Sequence, residues 1–79
     1  MNKNEIIEKV NRLLEEELEI DGDLLRPEAS LKDDLEIDSL DFVDIVVLID
    51  DEFGFKPQTG DLKKMRTLND FYEFIAAHA

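Results

Sequence analysis

The sequence predicts an all-α fold, a small bundle of three longer helices plus one short helix. Two observations support it. Apolar residues recur at three- and four-residue spacing in three stretches of the chain. The one run that could form a buried strand, at residues 45–47, has no candidate partner strand and is followed and preceded by aspartates at helical spacing. At 79 residues the chain is long enough for one domain, 1–79, and no more.

The first helix is predicted to begin near residue 3, because Asn2 and Glu5 have the spacing of a capping box. It should fade around Glu19, before the turn residues 21–23. Its apolar stripe consists of Ile6, Ile7, Val10, Leu13, Leu14 and Leu18.

A long loop, residues 20–38, is predicted between the first and second helices, since it contains Gly22 and Pro27 and no long periodic pattern. A loop of this length in a small domain usually has a function. Apolar residues spaced through it should pin it to the core: Leu24, Leu25, Ala29, Leu31 and Leu35.

The second helix is predicted from Ser39, a good N-cap residue, to about Phe53, where Gly54 can end it. It is unusually apolar, so we expect most of its circumference to be covered. A short helix is expected at residues 61–65. Thr67 then caps a last helix, with Asp70 at the capping-box position. The buried stripe of this last helix is Leu68, Phe71, Tyr72 and Ile75.

The charge of the chain excludes several classes of function. A net charge of −12 argues against binding to nucleic acid, which needs clustered Lys and Arg. Residues 36–52 hold seven acids and no base, so partners with basic patches are expected. No apolar run approaches the roughly 20 residues that a membrane span needs. The absence of cysteine fits a reducing compartment, and we expect a cytoplasmic protein.

Residues that could support catalysis or bind a metal are few. The lone His78 stands next to the C-terminus, which is a poor place for a catalytic base, and the three glycines form no phosphate loop. Residues 21–23 begin like a calcium loop, but Leu25 and Arg26 stand where a ligand and a glycine are needed. We therefore expect no catalytic residue and no metal site.

Ser39 has two possible roles. It can be a helix cap, accepting an N–H of the first turn. It can also be an attachment point, because a helix N-terminus offers N–H groups and a positive field to a phosphate. Asp38 and Asp41 lie close enough to cap the helix instead. The residues alone leave both roles open.

The stretch LEIDSLDFVDIVVLIDDEFGF resembles the signature of the acyl carrier proteins, with Asp-Ser-Leu at the start of an acidic second helix. The likeness extends over nearly the whole chain and implies an acyl-carrier-like bundle. It also implies that Ser39 receives 4′-phosphopantetheine from coenzyme A through a separate phosphopantetheinyl transferase. The thiol of this arm would then hold acyl groups as thioesters, and the protein itself would not be an enzyme.

The resemblance further implies two sets of site residues. A cavity for the acyl chain is expected between the second and third helices, lined by Leu31, Leu35, Ile49, Leu62 and Met65. The second helix is expected to dock on ketosynthases, acyltransferases and related enzymes with basic patches. Its docking residues would be Asp38, Asp41, Val43, Asp44, Val47, Asp50 and Asp51.

The chain departs from the family pattern at two places, and the second bears on the expected pathway. The family often has glycine at the position of Glu36. Many housekeeping members keep an acidic third helix, whereas this chain has Lys63, Lys64 and Arg66 there. The expected role is therefore a monomeric carrier for fatty acid synthesis or for a specialised lipid, polyketide or aryl-polyene pathway. The alternative is an acidic interaction domain in which Ser39 is only a cap.

Overall fold

The protein is all-helical, as predicted from the sequence. A computed structural model describes residues 2–78. Within them there is no β-strand, only an isolated antiparallel bridge between Ser30 and Thr67. The elements in chain order are α1 (Lys3–Glu17), a short 3-10 helix (Gly22–Leu24), α2 (Ser39–Phe53), α3 (Thr59–Lys63) and α4 (Leu68–His78). No helix within residues 2–78 is both long enough and apolar enough to cross a membrane.

Helix α1 starts where the sequence predicts, with Asn2 as its N-cap. The Asn2 side-chain oxygen accepts the backbone N–H of Glu5 at 2.9 Å, and the Asn2 amide donates to the Glu5 carboxylate. The helix ends at Glu17, two residues before the predicted end. Beyond it, Glu19 has a φ of 56°, and the N–H of Ile20 donates to the carbonyl of Leu14.

The long loop between α1 and α2 is tied to the start of α4 by backbone hydrogen bonds. The N–H of Leu31 donates to the Arg66 carbonyl at 2.9 Å, and that of Leu68 donates to the Ala29 carbonyl at 2.9 Å. Ala29, Leu31 and Leu35 are buried, which confirms that the loop is pinned. The expectation for Leu24 was wrong, since 45% of this residue is exposed at the end of the 3-10 helix.

The interior is one cluster to which α1, the long loop, α2, α3 and α4 all contribute, because each presents an apolar stripe to the same centre. Ile37, which precedes α2, also belongs to this cluster and was missing from the predicted core. The fully buried members with the largest side chains are Tyr72, Ile6, Leu14, Ile49, Leu62, Leu68 and Ile75.

The prediction that Ser39 caps α2 was wrong, since the N-cap is Asp38. The Asp38 carboxylate oxygen Oδ1 accepts the backbone N–H groups of Leu40 at 2.9 Å and Asp41 at 3.1 Å. In return, Oδ2 of Asp41 accepts the N–H of Asp38 at 3.1 Å, which completes a capping box. Ser39 is the first residue of the helix. Gly54 ends α2 with a φ of 79°, as predicted from its sequence position.

The expectation that most of α2 is covered was also wrong. Its buried residues are Ile45, Val46 and Ile49. A second apolar row is open to solvent: Leu40 is 79% exposed, Val43 55% and Val47 52%.

Helices α3 and α4 complete the fold. Helix α3 spans Thr59–Lys63, two residues earlier than the predicted 61–65. The start of α4 is as predicted: the Thr67 hydroxyl accepts the N–H of Asp70 at 3.2 Å, and the Asp70 carboxylate accepts that of Thr67 at 3.1 Å. The backbone N–H groups of Arg66 and Thr67 that donate to Asp70 lower the pKa of its carboxyl group.

Candidate functional site

Ser39 stands at a cleft of about 490 Å³, which we call the Ser39 cleft. Three segments form it: the loop residues 30–33, the entry to α2 at residues 37–39 together with Phe42, and the chain that leaves α3. Ser39 itself is exposed. The hydroxyl therefore lies where a second molecule can reach it.

The Ser39 cleft has an apolar floor. Leu31 and Ile37 are buried in it, while Phe42 and Met65 line it with partly buried side chains. An elongated organic group attached at Ser39 would therefore meet both hydrocarbon and solvent along the cleft.

The structure brings two of the five predicted acyl-pocket residues to this cleft, Leu31 and Met65. The other three, Leu35, Ile49 and Leu62, are buried in the core and are not among its lining residues. Their role in holding an acyl chain stays a prediction.

A second depression, the Val43 groove, lies between α2 and α3, with a volume of about 530 Å³. Val43, Val46 and Val47 form one wall, and residues 56–59 form the other. Among the remaining predicted docking residues, Asp41 is half-buried, whereas the others are exposed: Asp38, Asp44, Asp50 and Asp51. Six of the seven predicted docking residues are therefore exposed, and their role in docking stays a prediction.

The electrostatics at Ser39 differ from the sequence-based expectation. Two of the first-turn N–H groups that were expected to bind a phosphate already donate to Asp38, and the N–H of Phe42 donates to the Asp38 carbonyl at 3.2 Å. The negative charges of Asp38 and Asp41 also offset the positive end of the helix dipole. Positive charge for a phosphate on Ser39 would have to come from side chains.

Such side chains line the Ser39 cleft: Lys32 from the loop, and Lys63 and Arg66 from the end of α3. The sequence indicates the basic run at residues 63–66. It gives no sign that Lys32, about thirty positions earlier, joins that run at one cavity. The backbone hydrogen bond from the N–H of Leu31 to the carbonyl of Arg66 brings these two segments together.

The lone histidine has no place in this site. The His78 ring stacks on Phe55, with 5.4 Å between ring centroids, and its Nδ1 lies 2.8 Å from the Phe74 carbonyl oxygen. Neither His78 nor these aromatic residues line the Ser39 cleft.

The residues at the cleft fit a phosphopantetheine group in three respects. Ser39 offers an exposed primary hydroxyl, the floor is apolar, and the rim carries cations for a phosphodiester. When bound, this group supplies a thiol, which the cysteine-free chain lacks.

Comparison with known proteins supports the same family. A family model described as "Phosphopantetheine attachment site" matches residues 8–75. The acyl carrier protein of Thermosynechococcus vestitus is 37% identical over 75 residues, which cover 95% of this chain and 93% of the relative. The acyl carrier protein of Thermotoga maritima is 40% identical over 74 residues, covering 94% and 91% respectively. That of Lactobacillus johnsonii is 32% identical over 78 residues, covering 99% and 98%.

The family model and the relatives span nearly all of the helices described above, including the whole of α2. The chain therefore belongs to the acyl carrier proteins: it is a non-catalytic carrier that holds acyl groups on a covalently attached 4′-phosphopantetheine arm and works with a transferase and with synthase enzymes.

Proposed function

We propose that Ser39 is the residue that carries the 4′-phosphopantetheine arm. The observation that supports it most is the division of roles at the start of α2. Asp38 supplies the cap, so the exposed Ser39 hydroxyl is not needed to hold the helix together. The only other serine, Ser30, is half-buried, and its hydroxyl accepts the N–H of Asp33 at 3.1 Å.

Attachment would proceed by transfer from coenzyme A. A bond forms between Ser39 Oγ and the phosphorus next to the pantetheine, and the bond from that phosphorus to the nucleotide half breaks. The nucleotide half leaves, and the serine proton passes to a base of the transferase or to solvent. The thiol at the far end of the arm then bonds to acyl groups as thioesters.

We propose the outer side of α2 as the docking face for the transferase and for ketosynthases, acyltransferases and related enzymes with basic patches. The exposed row Leu40, Val43 and Val47 offers apolar contact, and exposed acids such as Asp44 and Asp51 flank it. Exposed charges of this kind orient a partner and speed its encounter more than they add affinity. A carrier needs this behaviour because it must leave each partner quickly.

The proposed pathway is fatty acid synthesis or a specialised lipid or polyketide pathway. Cations at Lys63, Lys64 and Arg66 change the charge at the edge of the docking face, so partners suited to a wholly acidic carrier would be disfavoured.

We further propose that residues 1–79 act as one carrier domain, which the shared core of residues 2–78 supports. The proposed oligomeric state is a monomer. The proposed location is the cytoplasm, because the thiol of the arm has to stay reduced to form thioesters.

The experiment that tests the proposal is intact-mass measurement after incubation with coenzyme A and a phosphopantetheinyl transferase of broad specificity. The wild-type chain should gain one phosphopantetheine. Ser39→Ala should gain none. Ser30→Ala is the matched control, since it removes a hydroxyl at the same cleft and should still be modified.

A folded wild-type chain that stays unmodified would favour the alternative, an acidic interaction domain without a prosthetic group. Circular dichroism on the same samples separates that outcome from a failure to fold. The version of this alternative in which Ser39 is only a cap conflicts with the Asp38 cap.

A further inference from the structure

The Ser39 cleft is more positively charged than the rest of the molecule. Its lining holds three cations, Lys32, Lys63 and Arg66, and two acids, Asp33 and Asp38. Three minus two leaves a local charge of +1, whereas the whole chain carries −12. A third of the nine Lys and Arg residues thus line one cavity in a strongly acidic protein. This concentration opposes the overall charge and points to an anionic ligand.

None of the three cations forms an ion pair within residues 2–78, where the salt bridges are Lys3 with Glu73 and Lys9 with Glu52. Two nearby acids already accept backbone N–H groups, whereas the carboxylate of Asp33 at the same cleft is exposed. Asp38 accepts the first-turn N–H groups of α2, and Asp70 accepts the backbone N–H of Arg66 at 3.0 Å. All three residues are exposed and none is in a salt bridge within residues 2–78, so a ligand can reach their charged ends.

The helix itself provides little for an anion at Ser39, because Asp38 already occupies the N–H groups of Leu40 and Asp41. Yet any arm attached to Ser39 begins with a negatively charged phosphodiester. In a chain of net charge −12, a further negative charge beside Asp38 and Asp41 would be repelled unless cations stood nearby.

We propose that the Ser39 cleft is an anion site in which Lys32, Lys63 and Arg66 hold an anionic group of the arm. This inference rests on the proposed attachment at Ser39. The anionic group is the phosphodiester next to Ser39 or a carboxylate at the end of the acyl group. The three cations are positioning residues. They fix the direction in which the arm leaves Ser39, along the apolar floor formed by Leu31 and Met65.

The test compares melting temperatures before and after loading, at roughly 20 mM salt, where exposed charges are weakly screened. The wild-type chain is loaded with the bare arm, with a hexanoyl arm and with an adipoyl arm, which adds a terminal carboxylate at the same chain length. Loading should raise the melting temperature by about 4–8 °C, the shift expected from one or two ion pairs in a domain of this size. At about 0.5 M salt the rise should shrink.

The three forms distinguish the two sources of the anion. A rise with the bare arm assigns the site to the phosphodiester. A rise that comes only with the adipoyl arm, and not with the hexanoyl arm, assigns it to the carboxylate of the acyl group.

Two triple variants separate the site from general charge effects. Lys32→Gln, Lys63→Gln and Arg66→Gln together should abolish the rise. The matched control replaces two lysines and one arginine outside the cleft, Lys56→Gln, Lys64→Gln and Arg12→Gln, which are all exposed. Both variants carry the same net charge, and the control should keep the rise.

The inference is overturned if complete loading leaves the wild-type melting temperature unchanged or lower in all three forms. It is equally overturned if the cleft variant keeps the rise, or if the control variant loses it as fully as the cleft variant. A rise that is equal with the hexanoyl and adipoyl arms and absent with the bare arm also overturns it, because apolar contact alone would explain such a rise.

Intact mass shows whether the chain has been loaded. A loaded chain whose melting temperature does not rise refutes the anion site alone. A chain that cannot be loaded refutes both the anion site and the proposed attachment at Ser39.

Discussion

Asp38 and Ser39 are adjacent residues, but only Asp38 caps helix α2. The Asp38 carboxylate holds the first turn of α2, and this leaves the Ser39 hydroxyl uncommitted at the first helical position. With the proposed attachment at Ser39, the Asp38 cap would stay in place when the arm is added.

This division predicts unequal effects of two adjacent alanine substitutions. Asp38→Ala should lower the free energy of unfolding by about 1 kcal/mol, the usual cost of a lost N-cap. Ser39→Ala should change it by less than about 0.5 kcal/mol, because no cap is lost. Urea denaturation of the unmodified chains measures both. Equal losses in the two variants would contradict the assignment of the cap to Asp38.

Glu36 provides a second residue-scale prediction. Its φ of 55° lies in the left-handed region, which disfavours residues with a Cβ. This conformation gives a physical reason for the glycine that the family often has there. Glu36→Gly should raise the free energy of unfolding relative to Glu36→Gln by roughly 0.5 kcal/mol, since relief of strain exceeds the added freedom of the unfolded chain.

The glutamine variant is the control for that comparison, because it removes the charge and keeps the side chain. A glycine variant that unfolds more easily than the glutamine variant would show that the backbone at residue 36 is not strained.

The cap of α2 could have been predicted correctly from the sequence. A capping box needs an acid or amide three residues after the cap. Asp38 has Asp41 at that position, whereas Ser39 has Phe42. The same rule, applied to Asn2 and to Thr67, gave the correct starts of α1 and α4.

At the scale of single elements, α2 has two apolar rows, and only one of them is used in folding. Ile45, Val46 and Ile49 face the core, while Leu40 and Val43 belong to the exposed row. Exposure of several large apolar residues on one side of a helix is typical of a binding surface. Packing of the core does not explain why this row is apolar, whereas contact with a partner protein would.

A pair of valine-to-threonine substitutions tests this separation. Val46→Thr places a hydroxyl in the core, where Val46 is only 6% exposed, and should cost about 1–3 kcal/mol of stability. Val43→Thr, with Val43 at 55% exposed, should change stability by less than about 0.5 kcal/mol. Denaturant unfolding measures both costs.

The two variants should show the opposite order of effects on modification by the transferase, with the larger effect from Val43→Thr. At a temperature where both variants are folded, Val43→Thr should raise the KM for modification, whereas Val46→Thr should leave it near the wild-type value. A Val43 variant that is modified like wild type would remove Val43 from the docking face.

Helical periodicity explains why the coverage of α2 was predicted wrongly. The spacing of apolar residues identifies a helix and its apolar rows, but it does not say which row meets a neighbour. The spacing of α4 was sufficient because the four residues of its predicted stripe form a single row, and all four are buried. Helix α2 has two such rows, and the choice depends on where α1, α3 and α4 lie.

At the scale of the whole molecule, charge repulsion is the main electrostatic term. Of the 21 acids, two, Glu73 and Glu52, pair with a lysine within residues 2–78. The remaining acids crowd a particle with a radius of gyration of 11.1 Å. Screening of these charges should stabilise the folded state.

We therefore expect the melting temperature to rise as salt increases from about 10 mM to about 150 mM, and also with magnesium. The double variant Asp44→Asn and Asp51→Asn brings the net charge from −12 to −10 and should melt higher at low salt, with a smaller response. A melting temperature that changes neither with added salt nor with magnesium would contradict repulsion among the acids.

Local and non-local features differ in how well the sequence predicts them. The helices, the loop and the position of Ser39 follow from short patterns along the chain. The Ser39 cleft does not, because Lys32 and Arg66 line one cavity only when the long loop packs against the start of α4. For the same reason the expected acyl pocket and the Ser39 cleft share only Leu31 and Met65, while Leu35, Ile49 and Leu62 are buried in the core.

The most direct test of the account is the location of the arm by peptide mapping. Trypsin, which does not cut before proline, leaves Ser30 in peptide 13–32 and Ser39 in peptide 33–63. After incubation with coenzyme A and a transferase, mass spectrometry should find one phosphopantetheine on peptide 33–63, with fragment ions that assign it to Ser39. An arm on peptide 13–32, or a folded chain with no arm on either peptide, would contradict the account.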